Sequence, residues 1–153
     1  MLTSTALEPK KNQGNQAIGK SKGGLSTKIH ALVDALGNPT SFILTPGEAH
    51  DLVGADSLLP ELQAKMLLAD RAYDADDRVI EILEQMGITP VIPPKKNRRV
   101  KRPYDKHLYG ARHLIENFFA KLKQYRAIAT RYDKLARTFL SGIYLAAWVI
   151  LLN

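Results

Sequence analysis

Along the chain, hydrophobic patterning starts late. Residues 1–24 are rich in Lys, Asn, Gln, Gly and Ser with no apolar period, and read as a flexible basic N-terminal segment. From Leu25 the pattern sharpens. Leu25 to Leu36 and Thr40 to Thr45 are β-branched and aliphatic runs joined by Gly37-Asn38-Pro39, which predicts a β-hairpin. Asp51 to Leu62 suits a short helix. Lys65 to Ala69 is a short apolar run that stops abruptly at Asp70, as a buried strand would. Val79, Ile82, Leu83 and Met86 recur at helical spacing within Asp74 to Met86, and Gly87 supplies the stop. Ile88 to Ile92 forms another short strand, closed by Pro93-Pro94. A basic loop over residues 95–103 follows, then two helices, roughly Lys106 to Ile128 and Lys134 to Leu152. This order of strands and helices predicts one α/β domain over 25–153.

Length agrees, because 153 residues suffice for one real core. The absence of cysteine excludes a disulfide framework and a Cys-based zinc site. The N-terminus lacks a basic region followed by an apolar run, so no secretory signal is read there. The most apolar stretch, Phe139 to Leu152, is too short for a membrane span and contains Ser141 and Gly142. A cytoplasmic protein without membrane contact is expected. Charge changes the picture more. Up to Pro93 there are 8 Lys/Arg against 12 Asp/Glu; from Pro94 onward there are 14 against 3. Such asymmetry points to a polyanion along the C-terminal part. Lys95, Lys96, Arg98, Arg99, Lys101 and Arg102 are the candidate DNA contacts.

Two carboxylates carry the candidate chemistry. Asp70 ends a predicted buried strand, and in α/β sheets active sites gather at the carboxyl ends of strands. From position alone, a metal ligand and a structural cap are equally good readings of Asp70. Asp74 and Asp76 are the better caps for the helix that follows. Glu116 lies on the next-to-last helix. At about 100° per residue, Arg112, Lys123, Glu116 and Tyr109 fall within about 60° of one another. Ala111, Leu114, Ile115, Phe118, Phe119 and Leu122 form the apolar stripe. An exposed i, i+4 ion pair would explain Arg112 and Glu116, but not Tyr109 and Lys123 in the same row.

The spacing Tyr109-x2-Arg112-x3-Glu116-x6-Lys123 resembles the Y-x2-R-x3-E-x6-K signature of bacterial insertion-sequence transposases of the DDE type. Neighbouring stretches resemble the insertion-sequence-five branch: residues 19–30, Thr45-Pro46-Gly47, residues 68–74 and Arg131-Tyr132-Asp133-Lys134. The resemblance covers about residues 10–153. It implies a ribonuclease-H-like mixed sheet flanked by helices. It also implies metal-dependent strand cleavage and transfer, with Asp70 and Glu116 as the second and third catalytic carboxylates holding Mg²⁺ or Mn²⁺. Arg112 and Lys123 would hold phosphates, and Tyr109 would contact a displaced nucleotide. Carboxylates sharing two metal ions must lie within about 8 Å of each other.

In that family a first Asp sits on the central first strand, ahead of the Gly/Lys-rich loop. The corresponding stretch, Met1 to Pro9, holds no Asp, and Glu8 is a poor substitute. Asp34 falls beside the hairpin turn and is not promoted to that role. The expectation is a partial core lacking its first strand and inactive alone. Its partners would be transposon-end and target DNA and an upstream-frame transposase segment, with a homo-oligomer left open. A non-catalytic DNA-binding regulator, or a remnant of such an enzyme, is the alternative.

Overall fold

The computed structural model describes residues 15–22 and 24–152. The predicted hairpin forms from β2 (Gly24–Val33) and β3 (Pro39–Pro46), antiparallel with Ile29 opposite Leu44 and Ala31 opposite Phe42. Its turn is fixed by Asp34, whose carboxylate accepts the Leu36 and Asn38 N–H groups at 2.8 and 2.9 Å. Gly37 takes φ +88°, a left-handed conformation that favours glycine. One correction falls in the N-terminal segment, read as flexible. Within it, β1 (Gly19–Ser21) pairs antiparallel with the start of β2. Residues 1–14 lie outside the described residues.

After β3 comes α1 (Asp51–Leu58), capped by His50, whose side chain accepts the Leu52 N–H. Then β4 (Met66–Leu68) leads through a tight 3₁₀ turn and a wide helical turn into α2 (Glu81–Gln85), and on to β5 (Thr89–Val91). Strands β4 and β5 are parallel, as a helical crossover requires. Pro90, with no N–H to give, sits on β5, where it blunts an outer edge. The predicted helix 106–128 is three helices instead: α3 (Lys106–Gly110), α4 (His113–Leu122) and α5 (Arg126–Ala129). The last, α6 (Ala136–Leu152), follows the prediction closely.

Strand alternation divides the core. Ile29, Ala31, Phe42 and Leu44 face one side, packing against Phe118 and Leu122 of α4 and Phe139, Ile143, Ala146 and Ala147 of α6. His30 and Thr45 point to the other side, where α1 lies; a methyl on Gly54 would overlap the His30 ring. A second cluster joins Leu52, Ala55 and Leu59 to Val79, Ile80, Leu83, Ile88 and Ile92. The architecture is the mixed α/β one expected for a ribonuclease-H-like domain, with strands in two pieces among the described residues: β1-β2-β3 and β4-β5.

His30 bridges these pieces. Its ring is buried, with Nδ1 3.2 Å from the Tyr73 hydroxyl and Nε2 2.8 Å from Thr45 Oγ1. Burial holds its pKa below the usual histidine value; Asp51 opposes this and Lys28 adds to it. A depressed folded-state pKa means that this contribution is complete above about pH 6.5 and lost as pH falls through the lower folded-state value. The expected result is a loss of unfolding free energy below that pH. His30→Gln should remove that slope in urea titrations; an unchanged slope would assign it to other groups.

Candidate active site

Asp70 follows β4 after one residue, Ala69, and caps the 3₁₀ turn Arg71–Tyr73, its carboxylate accepting the Arg71 N–H at 2.6 Å. The cap reading is therefore realised, but on this turn and with one oxygen only. The other oxygen, Oδ2, lies 3.6 Å from Nη1 of Arg112. The same guanidinium donates through Nη2 to Glu116 Oε1 at 2.6 Å. Strand end and helix thus meet at one arginine. Both carboxylate side chains remain about half exposed, at 54% and 55%, so the pair opens to solvent and not into the core.

The helix break sharpens this arrangement. Gly110 ends α3, and the Ala111 and Arg112 N–H groups bond back only three residues, to Leu108 and Tyr109. This tighter turn keeps Tyr109 next to Arg112, whose guanidinium sits 5.5 Å from the ring centroid. Tyr104 meets the same ring edge-on at 5.5 Å. Burial raises the Tyr109 hydroxyl pKa; Arg112 pulls it down and Asp70 pushes it up. Lys123 closes the end of α4 and, with Glu116, lines a groove of about 790 Å³ floored by Leu25, Ile29, Phe119 and Phe139. Among the described residues Lys123 forms no hydrogen bond or ion pair with Tyr109, Arg112 or Glu116, so the structure gathers Asp70, Tyr109, Arg112 and Glu116 and leaves Lys123 farther along. Among the described residues no group of three or more metal-ligating side chains forms. Asp34 is held in its hairpin turn, and its backbone hydrogen bonds, that of Asn38 foremost, lower its pKa.

The Transposase DDE domain family matches residues 3–152. A Brucella ovis protein described as "Putative transposase for insertion sequence element IS6501" is 40% identical over 130 residues, spanning 84% of this chain and 100% of that protein. The chain belongs to the DDE transposase family. No solved structure matches it.

The basic loop of this transposase is divided by its ion pairs. Arg98 and Arg102, expected to face DNA, turn inward to Asp74 and Asp76. Asp74 and Asp76, expected as caps of the following helix, do not cap it: that helical turn has Ala75 at its N-cap and no side-chain cap, while Asp74 closes the preceding 3₁₀ turn through its own N–H to the Arg71 carbonyl. The Asp74 side chain is fully buried. Burial alone would raise its pKa, but the Lys95 N–H and the two guanidiniums outweigh that and lower it. Lys96, Arg99 and Lys101 are exposed and Lys95 is half-buried.

Two further residues lie in family-like stretches of the sequence but are given no role there. Tyr73 supports the Asp70 turn from within; burial pushes its hydroxyl up to about 12, with Asp51 and Asp70 adding, so it stays protonated and can donate to His30. Arg131, at φ +48°, donates to the Gln16 and Ala17 carbonyls at 2.6 and 2.8 Å and lies 4.9 Å from the Phe139 ring centroid. It anchors the N-terminal segment and is not a free DNA contact. No spacing rule announces either residue. No described helix is long and apolar enough to cross a membrane.

Proposed function

We propose that this transposase domain supplies Asp70 and Glu116 as two metal-holding carboxylates for DNA strand cleavage and transfer. The observation that carries this reading is that Arg112 pairs with both of them, one from the turn after β4 and one from α4. Hard carboxylate oxygens, half exposed and side by side, fit Mg²⁺ or Mn²⁺, which keep several water ligands and need few from protein. When bound there, the metal would supply charge stabilisation at the phosphate and the leaving 3′-oxygen. The protein's own groups do the rest. Arg112 neutralises the repulsion between the carboxylates and presents a planar fork suited to a phosphate. Lys123 adds a point charge on the same groove. Tyr109, braced by Tyr104, offers a ring on which an unpaired base can stack. The DNA partners are element ends and target, which places the protein in the cytoplasm.

The catalytic centre is completed, on this reading, by a third carboxylate from a segment encoded upstream. Two features support a strand docking between the two sheet pieces. Among the described residues β4 is paired only with β5, and β2 from Thr27 to Val33 only with β3. Pro90 marks the far side of β5 as the outer edge. Unpaired backbone in such a position is costly once buried, so a complementary strand stabilises both halves.

The test compares residues 1–153 with the same chain fused in frame to the upstream coding segment, on a duplex carrying the element's ends with Mg²⁺ or Mn²⁺. Nicking is expected from the fusion and not from the shorter chain. Cleavage by 1–153 alone, abolished by Asp70→Ala, would place the third ligand inside this sequence. A fusion that binds ends and never cuts would favour the regulator.

A further inference from the structure

Six cations lie between residues 95 and 102, and the structure divides them. Asp74 accepts the Lys95 N–H through Oδ2 at 2.8 Å, and through Oδ1 accepts Arg98 Nη1 at 2.9 Å and Arg102 Nη2 at 2.7 Å. Arg98 also reaches Asp76 directly, and Arg102 Nη1 lies 3.7 Å from the same carboxylate. Arg98 Nε donates to the Val100 carbonyl at 3.1 Å, which folds the loop around its own guanidinium. Two arginines and two aspartates therefore form a neutral cluster. The side chain of its centre, Asp74, has no solvent exposure, while each arginine side chain keeps about a fifth of its surface. Lys96, Arg99 and Lys101 point outward and pair with no carboxylate among the described residues.

We infer that Asp74 is a positioning residue: it clamps the basic loop to the turn bearing Asp70, so that DNA phosphates held by Lys96, Arg99 and Lys101 are placed relative to that carboxylate. The inference rests on the DNA-binding part of the proposed function. Its physical basis is the cost of breaking the cluster. Swinging Arg98 or Arg102 to a phosphate would leave an enclosed carboxylate short of a partner, so these two stay home when DNA arrives. Cations already neutralised by protein carboxylates release no counterions from DNA; only the outward set should contribute to the salt dependence. Asp74 lies four residues from Asp70 across a single tight turn, with Tyr73 pinned beneath it by His30. A loop fixed to Asp74 is thereby fixed to Asp70.

The experiment measures binding of the full chain to a generic duplex across a salt series, without divalent metal. Two variants are compared with the parent. Lys96→Gln/Lys101→Gln removes two outward charges and should make the slope of log affinity against log salt shallower by about 1.8, at about 0.9 per phosphate contact. Asp74→Asn/Arg98→Gln removes one charge of each sign from the cluster and should leave the slope unchanged. If the second variant flattens the slope by about 0.9 or more, Arg98 contacts phosphate and the inference is overturned. If neither variant moves it, the loop does not meet DNA and the inference falls, while the assignment of Asp70 and Glu116, tested by nicking, is untouched.

Should Asp74→Asn/Arg98→Gln fail to fold, Arg98→Lys/Arg102→Lys keeps both charges but cannot fork between the two aspartates. Amide exchange should then accelerate in 70–76 and 95–102 together, while β2, β3 and α6 keep their protection. Unchanged protection of the loop in that variant would overturn the clamp.

Discussion

Asp74→Ala is expected to lower the unfolding free energy by about 3 kcal/mol, at the lower end of the range for breaking a buried ion pair. The lower end is appropriate because Arg98 and Arg102 keep partial exposure and retain Asp76 as a partner. The loss has two sources: the guanidiniums lose their enclosed counter-ion, and the Lys95 N–H loses its acceptor. Urea unfolding should show a lower midpoint at unchanged m-value, since the surface exposed on unfolding hardly changes. The pH dependence identifies the cause. The folded-state pKa of Asp74 is depressed, so its contribution is complete above about pH 4 and disappears as pH falls through the lower folded-state value. Parent and variant stability curves should therefore run parallel near neutrality and converge in acid. A constant gap down to pH 2 would mean that packing, not charge, carries the effect.

The second large effect concerns catalysis. In the in-frame fusion proposed above, Asp70→Asn or Glu116→Gln is expected to reduce metal-dependent nicking by about 10⁴-fold or more, as for members of a catalytic unit. The double variant should be hardly worse than either single one. Both are near-isosteric changes at half-exposed positions, so folding and metal-free DNA binding should survive. Arg112→Lys is the informative companion. Lysine keeps the charge but cannot bridge two carboxylates as a planar fork, so an intermediate loss is expected. Full activity of Asp70→Asn in that fusion would remove Asp70 from the metal site altogether.

Much of the fold was legible in the sequence for local reasons. Alternation in Leu25 to Thr45 with a Gly-Asn-Pro turn is a short-range signal, and the hairpin forms where that signal lies. The apolar run ending at Asp70, the 3.6-residue period before Gly87 and the terminal apolar helix are equally local, although the strand before Asp70, expected to be buried, has Met66 exposed and Leu67 and Leu68 only half-buried. The break at Ala111–Arg112 was not legible, because the apolar period runs through it. It results from a change to three-residue hydrogen bonding after Gly110, which periodicity does not register. Nor was β1, a three-residue strand that exists only because β2 lies beside it.

The candidate site divides along the same line. Residue types at fixed spacing marked the row of Tyr109, Arg112 and Glu116, and with it the family, even though the structure divides that row between α3 and α4. Tertiary structure alone decided that Asp70, more than forty positions earlier, meets that row through Arg112. It also decided the fate of the basic loop. In sequence, six cations in eight residues are indistinguishable, each a solvated positive charge. Whether one faces DNA or the protein depends on what lies behind it, and behind Arg98 and Arg102 lie two aspartates delivered by a different turn. Composition fixed how much charge the loop carries; burial of Asp74 determined which of it is free.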